Sequence, residues 1–207
     1  MERLYKGIHQ FQSAHFKRQE GFFRSLSTHQ KPEVLFITCA DSRVDPNLVT
    51  QSRPGDLFIV RNVGNIVPPH NAIRDKNSVA AALEFAVLEL KVADIIVCGH
   101  SNCGAMRLLG RDAAAFLGMP HLQEWVQLAE PVKLIVERYY HGATEAQKER
   151  ITEKENVLEQ LRNLETYPFV EKALAAGTLR LHGWYYDIGT GKIFSYNPGN
   201  DEFEAIT

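Results

Sequence analysis

Three cysteines in 207 residues are too few, and odd in number, for a disulfide framework. Cys39, Cys98 and Cys103 are left to burial or to metal binding. Clusters of basic residues are missing as well. The 23 Lys and Arg are interleaved with 25 Asp and Glu, and a net charge of -2 offers no electrostatic footprint for a nucleic-acid backbone. No apolar run is long enough to span a bilayer, because the richest stretch, residues 79–97, is broken by Glu84, Glu89, Lys91 and Asp94. The opening MERLYKGIHQFQ lacks the basic-then-apolar pattern of a secretory signal, so we expect a chain that begins here and stays in the cytosol. Neither residues 55–64 nor residues 99–104 match a phosphate-loop or dinucleotide fingerprint. Without repeats, low-complexity tracts or linkers, a composition of 44% hydrophobic and 23% charged residues suits one globular domain over residues 1–207.

Hydrophobic spacing supplies the elements. Residues 1–28 carry Leu4, Ile8, Phe11, Phe16, Phe22 and Phe23 at roughly helical intervals, which predicts a helical arm that must pack on something, most simply a second copy of the chain. Val34 to Thr38 is a short β-branched run ending at Cys39, and Asp56–Arg61 and Asp94–Cys98 read as two further strands. Between the last two, Asn77 can cap a helix with apolar positions Val79, Leu83, Ala86, Val87 and Leu90. Strand, crossover, strand, helix, strand predicts an α/β fold: a central, mostly parallel sheet flanked by helices. Downstream we expect a helix over residues 122–140 broken near Pro131, and then a helix opened by a Thr144/Gln147 capping box and closed before Pro168. A short helix to Gly177, a strand over 178–188 and a C-terminal edge strand over 192–196 complete the expectation.

Ligands of parallel α/β sheets gather at the carboxyl ends of strands, and there the sequence puts Cys39, His100 and Cys103. Thiolate and imidazole suit zinc, and three protein ligands leave a fourth tetrahedral position for water. Taken singly, Cys39 and His100 read first as packing, and it is their combination at matching strand ends that favours a metal.

The run Cys39-Ala40-Asp41-Ser42-Arg43, with Arg61-Asn62-Val63-Gly64-Asn65 and His100-Ser101-Asn102-Cys103, closely resembles the β-class carbonic anhydrases, and in particular their plant-like and cyanobacterial branch. The likeness runs from the aromatic arm to Leu181-His182-Gly183-Trp184-Tyr185-Tyr186-Asp187. It implies one zinc per subunit on Cys39, His100 and Cys103, with Asp41 and Arg43 beside it, and reversible hydration of carbon dioxide to bicarbonate through a zinc-bound hydroxide. Arg43 presents a planar fork suited to holding Asp41 off the metal. The resemblance also implies a substrate pocket of Gln30, Phe58, Val63 and Gly104, and a homodimer or larger even-numbered oligomer built with the arm. Cytoplasmic residence, in the open or within a carboxysome-like microcompartment with shell or carbon-fixation partners, is a further implication. Two departures stand out. Phe85 occupies a position where that branch commonly has tyrosine, and Phe36 replaces a tryptophan used by members that close the site with the aspartate; an open site with Asp41 on Arg43 is expected. Competing readings are a carbonyl sulfide or carbon disulfide hydrolase on the same scaffold, and a non-catalytic zinc protein with Asp41 as fourth ligand.

Overall fold

The computed structural model describes residues 1–72 and 76–207, which form two compact units, Met1–Lys31 and Pro32–Thr207. In the first, α1 (Glu2–Gln10) runs through a wider π-type turn at Phe11–Phe16 towards α2 (Glu20–Ser25). The Phe16 and Phe23 rings stack at 5.4 Å and Phe11 meets Phe23 edge-on at 5.6 Å, so the arm folds on its own aromatics. Leu4, Tyr5 and Ile8 stay exposed.

The second unit contains, in chain order, β1 (Val34–Cys39), α3 (Pro46–Thr50), β2 (Leu57–Asn62), α4 (Ser78–Glu84, continued by a π-type turn at Phe85–Leu90), β3 (Asp94–His100), α5 (Gly104–Leu109), α6 (Pro120–Gln127), α7 (Glu130–Tyr139), α8 (Glu145–Glu165), α9 (Pro168–Ala175), β4 (Arg180–Asp187), β5 (Lys192–Asn197) and β6 (Glu202–Ala205). The sheet order is β2-β1-β3-β4-β5-β6. Its first four strands are parallel and its last two antiparallel. This is the predicted mostly parallel α/β sheet with flanking helices.

Local chemistry sets the boundaries. Leu35, Phe36 and Ile37 are buried on both faces of the sheet, as a central parallel strand requires. Asn77 accepts from the Val79 and Ala80 N–H groups at the head of α4, and Thr144 and Gln147 close their reciprocal capping box at the head of α8. Pro131 sits in the first turn of α7, where its missing N–H costs nothing, so the expected broken helix is two helices. One face of α8 lies flat on the sheet because β3 and β4 offer Gly99 and Gly183 beneath Val157.

The carboxyl edge of the sheet extends one strand beyond the sequence reading. After Lys192–Asn197 the chain turns at residues 198–201 and returns as β6, whose one large apolar residue, Phe203, packs on Tyr196 and Tyr185. A single inward side chain in four residues is too weak an alternation to announce a strand. The short helices α3 and α5 were not anticipated either; Asp45 caps α3 by accepting from Leu48 N–H.

Candidate metal centre

Adjacent parallel strands in register bring the cluster together. Thr38 pairs with Cys98, so Cys39, one residue on in β1, and His100, two residues on in β3, both emerge at the carboxyl ends of the strands. Ser101 N–H then bonds the Tyr186 carbonyl at 2.9 Å, and Ser101 Oγ accepts from Ile188 N–H at 3.0 Å. With the turn pinned to β4 and Asn102 in the left-handed region (φ 56), the chain folds Cys103 back on the other two. One ligand atom from each of Cys39, His100 and Cys103 lies within 4.8 Å of the others, and all three residues are buried.

The imidazole is set for a cation. His100 Nδ1 is 2.9 Å from the Ser101 carbonyl, which can only accept, so Nδ1 carries the proton and Nε2 presents its lone pair. Nε2 is buried and has no hydrogen-bond partner. A buried acceptor left this way costs free energy unless something binds it, and an orphaned imidazole nitrogen beside two sulfurs fits a thiophilic dication such as zinc. The sulfurs tell the same story. Donation from the Cys103 thiol, more than any other contact, draws the Cys39 thiol well below its usual range, with further help from Gly64 N–H, which lies 3.4 Å from Cys39 Sγ. The Cys39 thiolate and burial in turn raise Cys103. Two sulfurs competing for one proton make a site that a metal ion satisfies better.

Asp41 lies at the rim. Arg43 donates from Nε to Asp41 Oδ1 at 2.9 Å and from Nη2 to Oδ2 at 2.7 Å, and its backbone N–H adds a third bond at 2.9 Å. This fork, above all the side-chain bonds, holds the carboxyl far below the ordinary carboxylate range. Asp41 Oδ2 is 3.9 Å from His100 Nε2, so the carboxylate faces the cluster while bound to the arginine. Arg43 Nη2 also reaches the Asn102 carbonyl at 3.0 Å and ties the β1 loop to the β3 loop. Arg61 clamps the same loop from β2, with Nε on the Cys39 carbonyl (3.1 Å) and Nη2 on the Asp41 carbonyl (2.7 Å).

Behind the cluster stand residues that the sequence reading passed over. Glu153 of α8 is buried; its carboxylate accepts from Cys103 N–H at 2.9 Å and from Tyr185 OH at 2.8 Å. Burial lifts its pKa, against the pull of those donors. Farther along the same helix face, Asn156, Gln160 and Asn163 are buried and bond the backbone of residues 64–67. Spacings of three and four residues mark one helix face, but polar residues at such spacing read as a solvated surface.

The remaining predicted residues come from separate elements. Val63 is 41% exposed, next to Gly64, and Gly104 opens α5 directly after Cys103. Phe58 lies half-buried on β2, with its ring 5.8 Å from that of Phe85, packed against the main core. Gln30 is exposed near the end of the first unit. Cys98 is buried between Phe36 and Ile96, outside the cluster, and burial pushes its thiol up to about 12.

Known proteins resemble the chain over its whole length. A family model described as "Carbonic anhydrase" matches residues 34–193. A carbonic anhydrase of Synechocystis sp. is 42% identical over 99% of this chain and 74% of its own length. The solved structure of the β-carbonic anhydrase CcaA superposes with a TM-score of 0.96 at 40% identity, covering 100% of this chain and 99% of that one. Two tetrameric β-carbonic anhydrases from Sordaria macrospora are represented by a chain at 30% identity and a TM-score of 0.75, with 94% of this chain and 92% of that chain covered. On this footing the chain belongs to the β class of the carbonic anhydrase family, a zinc lyase that interconverts carbon dioxide and bicarbonate.

Proposed function

We propose that Cys39, His100 and Cys103 hold the zinc of this enzyme and that Asp41 and Arg43 carry out the proton and orientation work of carbon dioxide hydration. The observation that carries the assignment is His100 Nε2, a buried lone pair with no partner, facing two sulfurs that share a proton. Zinc there supplies the Lewis acidity that brings the pKa of water toward neutrality. Asp41 works as an acceptor: with Oδ1 and Oδ2 fixed by Arg43, the carboxylate keeps lone pairs free on its cluster side and orients the reacting water by accepting its hydrogen bond. Arg43 keeps Asp41 ionised and both its oxygens engaged, so that Cys39, His100 and Cys103 would hold the ion without the carboxylate as a further ligand. The low pKa of Asp41 suits it to orienting a proton rather than keeping it, so the proton released on hydration passes on to solvent.

Gly104, which follows Cys103, together with Val63, Phe58 and Gln30, is assigned to the carbon dioxide pocket by resemblance. The arm, residues 1–28, is assigned to dimerisation on its exposed Leu4, Tyr5 and Ile8. Assembly beyond the dimer follows the tetrameric relatives. Among the described residues no helix is long and apolar enough to cross a membrane; residence in the cytoplasm, free or in a microcompartment, is part of the same proposal.

Stopped-flow carbon dioxide hydration combined with metal analysis tests the site. Wild-type protein is expected to contain about one zinc per chain and to hydrate carbon dioxide rapidly, and Cys103→Ser to lose both. Full zinc content and rate in Cys103→Ser would overturn the ligand assignment.

A further inference from the structure

The peptide unit joining Val63 to Gly64 is held at both edges. Its N–H lies 3.4 Å from Cys39 Sγ, and its carbonyl accepts from Trp125 Nε1 at 2.7 Å. In a planar trans peptide the C=O and N–H vectors are antiparallel, so a donor that fixes one fixes the aim of the other. Nothing at this point of the chain pairs in the sheet, since β2 ends at Asn62. The direction of the Gly64 N–H therefore comes from side chains. Gly64 has φ +79, and a Cβ there would stand 3.0 Å from Ala105 Cβ and 3.1 Å from Met106 Cε, so the close approach to the sulfur needs glycine. Asn156 Nδ2 holds the next carbonyl, that of Gly64, at 3.0 Å.

Trp125 reaches this peptide from α6, its ring packed against the apolar cluster that includes Cys39 and Cys103. An indole N–H is a donor only, and its sole function here could be to find any carbonyl. The carbonyl it finds belongs to a peptide whose N–H meets a proposed ligand sulfur. A bond to the carbonyl also polarises the amide, strengthening the N–H on its far side. We propose that Trp125 is a positioning residue of the metal centre, which grips the Val63 carbonyl so that the Gly64 N–H is aimed at, and withdraws charge from, the Cys39 sulfur.

The inference rests on Cys39 being a metal-bound thiolate. The experiment loads full-length protein with Co(II) and records the sulfur-to-metal charge-transfer absorption and Co(II) retention against a chelator. A thiolate that loses a hydrogen bond becomes more electron-rich, so Trp125→Phe is expected to move the band to longer wavelength. Loss of the indole donor is also expected to weaken Co(II) retention by about tenfold, as removal of outer-shell partners commonly does. Leu122→Ala loosens the same packing of α6 without touching Val63, and is expected to lower thermal stability while leaving the band in place. Should Trp125→Phe fail to fold, benzothienylalanine at position 125, which exchanges the indole N–H for sulfur at nearly constant shape, takes its place with the same expectation. An unchanged band and retention in the donor-less variant, or an equal shift in Leu122→Ala, would overturn the proposal. Absence of any thiolate charge-transfer band in the wild type would instead sink the ligand assignment itself.

Discussion

Gln160→Leu tests whether the polar face of α8 is structural. Gln160 has no solvent exposure, and its amide serves three partners: Oε1 accepts from Val67 N–H at 2.8 Å and from Asn163 Nδ2 at 3.2 Å, and Nε2 donates to Asn156 Oδ1 at 2.8 Å. Leucine keeps much of the volume and none of the bonds. Asn163 Nδ2 retains the Val67 carbonyl at 3.0 Å, so the groups left without a partner are Val67 N–H and Asn156 Oδ1. Each buried orphan costs about 1–3 kcal/mol, which gives about 4 kcal/mol for the pair. For a chain of this size, about 2–4 °C per kcal/mol turns that into a fall in Tm of about 8–16 °C. Urea unfolding and calorimetry at one fixed protein concentration measure it, since association would otherwise contribute by mass action.

A double-mutant cycle sharpens the test. Asn156→Leu alone orphans the Gly64 carbonyl and Gln160 Nε2. In the double variant both ends of the Gln160–Asn156 bond are gone, and the orphans that remain are Val67 N–H and the Gly64 carbonyl. The combined loss is expected to fall short of the sum by about 4 kcal/mol, the cost of the two orphans that the double variant no longer has. A cost below about 1 kcal/mol for Gln160→Leu, or simple additivity, would refute the reasoning.

Three further outcomes are expected. Gly99→Ala places a Cβ 2.7 Å from Val157 Cγ2 and 3.3 Å from the Glu153 carbonyl oxygen, so it should lift α8 and lower unfolding free energy by about 1–3 kcal/mol, with partial recovery in the Gly99→Ala/Val157→Ala double variant. Asp94, held by Arg180 at 2.8 and 2.7 Å and by His182 at 2.7 Å, has a carboxyl pKa below its ordinary 3.8, chiefly through the Arg180 bonds. The stability this lends is complete above about pH 4, the unfolded range, and is lost as pH falls through the folded value. Asp94→Asn should therefore be less stable at pH 7 and show a flatter decline below pH 4 in urea titrations, and a decline as steep as the wild type's would count against the assignment. Cys98→Ala should keep about one zinc per chain and full carbon dioxide hydration, because this sulfur sits in apolar packing away from the cluster; metal loss measured by elemental analysis would contradict that placement.

Much of the framework could be read from the residues, because the strongest signals are local. Val34 to Thr38 is a run too short and too β-branched at its ends for anything but a buried strand, and Cys39 at its end inherits the ligand position of a parallel sheet. Asn77 and Thr144 announced helices by capping chemistry that the structure contains. What escaped was chemistry whose meaning depends on the partner. Glu153, Asn156, Gln160 and Asn163 look, as letters, like the wet side of a helix whose apolar side is Ile151, Leu158, Leu161 and Leu164. Burial inverts that: Glu153, Asn156 and Gln160 are under 5% exposed, while Ile151, Leu158 and Leu161 are only half-buried. Trp125 was equally silent, since its partner is a backbone carbonyl and no pattern of side chains points to it.

The polar face of α8 answers a constraint that the sheet creates. Parallel strands β1 and β3 deliver Cys39 and His100, but the chain beyond β2 and β3 leaves the sheet, and its buried N–H and C=O groups must bond to something. Cys103 N–H, the Gly64 carbonyl, both polar groups of Val67 and the Pro68 carbonyl are taken, in that order, by Glu153, Asn156, Gln160 with Asn163, and Tyr167. From Glu153 to Asn163 is about 15 Å of helix at about 1.5 Å per residue, so α8 spaces the ligand loop and the 64–67 segment against a common ruler, and Tyr167, just beyond its end, takes Pro68. An apolar helix would bury as much surface and leave these backbone groups unpaired at about 1–3 kcal/mol each. The ligand geometry is thus a property of helix docking as much as of strand pairing: α8 seated on Gly99 and Gly183 is what allows Cys103 to complete the cluster that β1 and β3 begin.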